Sequence, residues 1–70
     1  MDTSIYKTIE LIGTSPTSWE EAVKSIVKKA TETLRDIRIV EVEKLDVKLD
    51  EGKVVLFRAK VSLSFKFEKE

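Results

Sequence analysis

Gly13-Thr14-Ser15-Pro16-Thr17-Ser18-Trp19-Glu20-Glu21 joins an apolar, β-branched run to an amphipathic segment. Gly13 relieves the steric limit where an extended strand must turn sharply. Pro16 fixes one backbone dihedral on the way into a helix, and Ser18 with Glu21 makes a Ser-x-x-Glu capping box. The stretch therefore predicts a strand before it and a helix after it.

Upstream, Ile5 to Ile12 reads as a short strand with Ile9 and Leu11 on one face and Thr8 and Glu10 on the other. Downstream, Trp19, Ala22, Val23, Ile26, Val27, Ala30 and Leu34 recur at helical spacing as one apolar stripe. Glu20, Glu21, Lys24, Lys28, Lys29 and Glu32 form the opposite, solvated face, with Glu20 and Lys24 in favourable i,i+4 order. The predicted helix runs for roughly 18 residues, or ~27 Å.

Ile37 to Leu49 is β-rich but changes phase. Val40 and Val42 share one face, whereas Leu45, Val47 and Leu49 share the other, so a bulge or bend is expected near Glu43 and Lys44. Asp50-Glu51-Gly52-Lys53 reads as a hairpin loop in which Gly52 takes positive φ. The last strand alternates cleanly, with Val55, Phe57, Ala59, Val61, Leu63, Phe65 and Phe67 against Arg58, Lys60, Ser62, Ser64 and Lys66. It would reach more than ~40 Å. Its apolar face is expected to outrun the helix and to meet another subunit.

The fold class is α+β: β-α-β-β, a three-stranded antiparallel sheet wrapped around one helix. Seventy residues, 1–70, make a single domain. A chain of that size buries only about 60% of its unfolded surface and needs further stabilisation. Without Cys or His, disulfides, thiolate zinc sites and imidazole ligands are excluded, which leaves subunit association. Thirteen basic residues balance thirteen acidic ones, which argues against nucleic acid as a partner. No apolar run approaches the ~20 residues of a membrane span. Met-Asp-Thr-Ser lacks the start of a signal peptide, so the expected location is cytoplasmic. Ser15, Thr17 and Ser18 are accounted for as junction and cap residues; no active site is expected, and the chain reads as a non-enzyme.

Tyr6 to Ser15, with Ile12-Gly13-Thr14-Ser15 its most specific part, resembles the dodecins. Thr33-Leu34-Arg35, Glu41-Val42 and the closing Phe65-Lys66-Phe67-Glu68 support the resemblance, which covers about Ile5 to Glu68. It implies a hollow sphere of twelve identical subunits that binds or stores a small molecule. Flavin-binding dodecins stack isoalloxazine rings between tryptophans and contact them with a glutamine. The matching positions here are Ile39, within Ile37 to Val42 and beside Glu41, and Arg58. Isoleucine offers no π-face. Arginine only donates hydrogen bonds, so a flavin cofactor (FMN, riboflavin or FAD) is doubtful.

Three further readings stand beside this one. Arg58 suits a phosphate or carboxylate clamp, or an intersubunit ion pair with Glu41 or Glu43. Glu41, Glu43, Asp46 and Asp50 supply hard oxygen ligands for calcium, Asp46, Asp50 and Glu43 being the metal candidates, or simply guard a strand edge. A purely structural oligomer without a ligand is the third. Trp19, remote along the chain from the stacking position, is expected in the core or an interface.

Overall fold

The computed structural model describes residues 3–66. Phe67 and Glu68, counted above in the last strand and in the resemblance, lie outside them, as does the Met1-Asp2 start. Strand β1 (Tyr6–Ser15) leads into helix α1 (Trp19–Thr33), followed by strands β2 (Ile37–Asp50) and β3 (Lys53–Lys66). All pairing is antiparallel and the strand order is β1-β3-β2, so the last strand is central and the other two are edges. This is the expected β-α-β-β arrangement.

β1 continues past Ile12, because Gly13, Thr14 and Ser15 pair with Ala59, Arg58 and Phe57 of β3. Gly13 is thus not a turn residue. A Cβ at this position would come within 2.5 Å of Ile26 Cγ1 and 2.8 Å of the Ala22 carbonyl oxygen. Its bare Cα lets the helix lie directly on β1. The turn itself is organised by Ser15, which is buried and whose Oγ accepts the N–H groups of Thr17 (3.0 Å) and Ser18 (3.4 Å). Ser18 then caps the helix by accepting the Glu21 N–H at 3.0 Å. Only half of the capping box forms, since the Ser18 N–H goes to Ser15 instead of Glu21. Nor is there an ion pair between Glu20 and Lys24 among the described residues.

The helix ends at Thr33, three residues earlier than its expected length. Leu34 is already extended (φ −113°, ψ 148°), and its N–H caps the Ala30 carbonyl at 2.8 Å. Asp36 supplies the left-handed residue (φ 60°) that turns the chain into β2, a conformation that Asp tolerates better than most residues. At the hairpin, Glu51 (φ 53°) and Gly52 (φ 79°) both take positive φ between paired Asp50 and Lys53. That is the signature of a type I′ turn.

Helix and sheet meet through small side chains. Ala22, Ile26 and Ala30 bury against Ala59, Val61 and Leu63, with Ile9, Val23, Leu34, Ile37 and Val40 around them. Fifteen helical residues span only about 22 Å, against almost 50 Å for a 14-residue strand. The helix lies over β1 and the middle of β3, and leaves most of β2 bare. The β3 run outreaches the helix at its Val55 end, but more of the uncovered apolar surface lies on β2. Val42, Leu45, Val47 and Leu49 of β2, with Val54 and Val55 of β3, stay exposed along the far arm of the hairpin.

The phase change in β2 is a bulge at Glu43: Val42 pairs with Val61, and Lys44 with Lys60. One extra residue restores the alternation, so Val40, Val42, Leu45 and Val47 all face the helix side, opposite Leu63, Val61, Ala59 and Phe57. Two further irregularities fall between Ile37 and Ile39 and between Lys48 and Leu49.

Candidate functional site

The sheet surface facing away from the helix is built in cross-strand rows. Ile39 pairs with Ser64, Glu41 with Ser62, Lys44 with Lys60 and Asp46 with Arg58, while β1 adds Thr8, Glu10, Ile12 and Thr14 to the same rows. The irregularity after Ile37 turns Ile39 onto this outward face, where it is 59% exposed. The bulge at Glu43 does the same for Lys44 and Asp46.

Arg58 is held in a forked pair, its Nε donating to Asp46 Oδ1 at 2.8 Å and an Nη to Oδ2 at 3.2 Å. Its partner is thus Asp46 of the same chain, not Glu41 or Glu43. These hydrogen bonds hold the Asp46 carboxyl below its ordinary range; partial desolvation opposes the shift, and the charges of Arg58 and Lys44 add to it. The same bonds, with the Asp46 charge, raise Arg58 above its own ordinary value. Both side chains remain substantially exposed, so the pair contributes more to geometry than to stability.

Asp46 is also a structural anchor. Its backbone carbonyl, on an edge strand, accepts the Trp19 indole N–H at 2.9 Å, and that ring meets Phe57 edge-on at 5.2 Å. Trp19 is neither core nor free: at 38% exposure it ties the start of the helix to β2 at Asp46.

A cleft of about 210 Å³ opens on the outward face between Ile12, Lys44, Asp46, Arg58 and Lys60. Lys44 and Lys60 were not singled out from the sequence. The phase slip at Glu43 was the available signal, because one inserted residue is what sets Lys44 opposite Lys60.

The expected ligand residues do not converge within one chain. Ile39 and Arg58 belong to rows six residues apart along β3, or about 20 Å. Glu41 is nearer to Ile39, Glu43 sits at the bulge, and Asp50 closes the hairpin. Among the described residues, no three carboxylates gather in a group able to hold a metal ion. Asp46 already accepts from Arg58 through both oxygens, which leaves a metal only its remaining lone pairs. A flavin would find an aliphatic side chain at Ile39 in place of a ring. Neither ligand fits a site made by a single chain.

No described helix is long and apolar enough to cross a membrane. The profile of the dodecin family matches residues 5–68. The chain is 43% identical over 63 residues to the calcium dodecin of Mycobacterium tuberculosis, covering 90% of this chain and 89% of the relative. The fold superposes on dodecin from Streptomyces coelicolor with a TM-score of 0.89 at 30% identity, over the full length of both chains. It also superposes on the Mycobacterium tuberculosis protein, described as a calcium-chelating immunodominant antigen with a novel calcium-binding site. There the TM-score is 0.82 at 40% identity, over 96% of each chain.

Proposed function

The chain belongs to the dodecin family, and from that premise we propose that it is a non-catalytic binding protein that closes with copies of itself into a dodecameric shell. One observation carries this reading: the apolar arm of Val42, Leu45, Val47, Leu49, Val54 and Val55 has no cover in its own chain. The overall dimensions agree with it. An extent of 54 × 20 × 14 Å and a radius of gyration of 14.7 Å compare with about 11 Å for a self-sufficient domain of this length. The accessible surface of 5570 Å² exceeds the roughly 4,450 Å² expected for its mass. Sedimentation at micromolar concentration should give a species of about twelve 8.0 kDa chains. A folded single chain would overturn the proposal.

The ligand of the shell is calcium in preference to flavin. Exposed Ile39 offers no stacking face, and Arg58 is occupied by Asp46. Calcium is supported by the relatedness to a calcium dodecin and by exposed hard ligands, Glu41, Glu43 and Asp50, on an edge strand. One chain does not gather them, so the ion would lie between copies. Calcium should raise the melting temperature saturably, and Asp50→Asn should remove most of that rise. Riboflavin and FMN fluorescence should be little quenched, whereas Ile39→Trp with Arg58→Gln should increase quenching. Sub-micromolar flavin affinity in the unaltered protein would refute the preference. A melting temperature indifferent to both ligands would leave a purely structural oligomer.

A further inference from the structure

We propose that Trp19 is a positioning residue for the outward face: from the helix side it fixes β2 against β3 at the row where Asp46 meets Arg58, and so couples the two faces of the sheet. The first support is where its contacts fall. Asp46 pairs with Arg58, and Val47 with Phe57, in successive rows of the β2–β3 ladder. The Trp19 indole donates to the Asp46 carbonyl at 2.9 Å and meets the Phe57 ring edge-on at 5.2 Å. One helical side chain therefore grips both strands, at the residue that accepts the fork on β2 and at the neighbour of its donor on β3. Among the described residues, this is the one hydrogen bond between α1 and β2.

The second support is the weakness of the ladder on either side. Register shifts fall between Val42 and Lys44 and between Lys48 and Leu49, so residues 44–48 form a short regular run on an edge strand. Irregularities of this kind disrupt the ladder locally and bend the strand. Asp46 stands at the middle of that run, where the indole holds it. The third support is the demand of the fork itself. Its bonds of 2.8 and 3.2 Å join two well-exposed side chains, which close packing does not hold in place. A shift of about 1 Å between the strands would carry both bonds beyond hydrogen-bond range. Leu45 and Val47 of the same run belong to the bare apolar arm. Cover of that arm by another copy is therefore felt at Arg58 through Trp19. This consequence rests on the shell proposed above, whereas the coupling within one chain does not.

The test reads the coupling in both directions on the full chain, at one sedimentation coefficient. Trp19 is the only tryptophan in the sequence, so tryptophan emission reports this position alone. Arg58→Gln breaks the fork on the opposite face without touching the indole. It should move the emission to longer wavelength and increase quenching by acrylamide. Glu10→Gln, which breaks the Glu10–Lys60 pair on the same face, should change neither. In the other direction, Trp19→Phe keeps a ring but no donor. The rate at which phenylglyoxal modifies Arg58, relative to Arg35 and Arg38 in the same chain, should then rise severalfold, as it should in Asp46→Asn. Three results would overturn the proposal: unchanged emission in Arg58→Gln, an equal change in Glu10→Gln, or an unchanged Arg58 ratio in Trp19→Phe. Sedimentation as a folded single chain with these responses intact would refute the shell and leave the coupling standing.

Discussion

Replacing Gly13 by alanine tests whether helix and strand are as close as their small residues imply. The added Cβ would lie 2.5 and 2.7 Å from two side-chain carbons of Ile26 and 2.8 Å from the Ala22 carbonyl oxygen, where ordinary contact begins at 3.4 Å. Ile26 is 6% exposed and has little room to turn aside. The carbonyl is helix backbone, so α1 would have to withdraw by about 0.6 Å along a close-packed seam. Overpacking of this kind costs about 1–3 kcal/mol. Loss of glycine's freedom in the unfolded chain offsets about 0.4–1 kcal/mol. The net destabilisation is about 1–2 kcal/mol, or roughly 5–15 °C in melting temperature for 70 residues. Scanning calorimetry at matched chain concentration measures it, since assembly makes the midpoint concentration-dependent. Ile26→Ala should be damaging alone. In the Gly13→Ala background it should cost about 1 kcal/mol less, because two of the three clashes disappear. A Gly13→Ala midpoint within 2 °C of the parent, or additivity of the two changes within about 0.3 kcal/mol, would refute this account.

Trp19→Phe keeps a ring against Phe57 but removes the indole donor to the Asp46 carbonyl. Thermal melting should report a loss of about 0.5–1.5 kcal/mol. Because Arg58 lowers the Asp46 carboxyl in the folded state, its contribution is complete above the ordinary carboxylate range and fades as pH falls through and below that range. Melting curves between pH 6 and 2.5 should therefore decline less steeply in Asp46→Asn; equal slopes would remove Asp46 from the acid response. Glu51→Asn should stabilise the hairpin by up to about 1 kcal/mol, since Asn tolerates the left-handed φ of 53° and Asn-Gly favours this turn. A lower melting temperature would speak against the type I′ reading.

Much of this architecture could be read from residue pattern alone. Alternation in Val55 to Phe65 and helical spacing from Trp19 to Leu34 are strong periodic signals, and Ser18 marked the helix start. Gly13 is ambiguous in the sequence because a glycine before a helix has two physical uses, a turn or a close approach, and only the position of Ile26 distinguishes them. Trp19 was placed on the apolar stripe, but a stripe does not reveal that an edge-strand carbonyl waits for its indole. The partner of Arg58 depends on the register beyond the slip: the unpaired Glu43 sets Asp46 opposite it in place of the glutamates that the sequence suggests. Binding residues were the least legible part. Ile39, Glu41, Glu43 and Asp50 are exposed along one edge strand, and a surface completed by other copies leaves little trace in the pattern of a single chain.

The bulge at Glu43 links the two faces of the hairpin. If Glu43 instead took a regular place in the ladder opposite Lys60, strict alternation after Val42 would carry Lys44 and Asp46 to the helix side and Leu45 and Val47 outward. Arg58 would lose its fork, Trp19 its anchoring carbonyl, and Lys60 its opposite cation, all in one step. The apolar arm would simultaneously leave the surface on which it continues Val40 and Val42. The uncovered apolar face and the outward cleft are thus two consequences of a single register choice. Deleting Glu43 should flatten the bulge and keep Lys44 opposite Lys60 and Leu45 opposite Ala59, whereas inserting a further residue between Val42 and Lys44 should shift the assembly surface and the outward charge together.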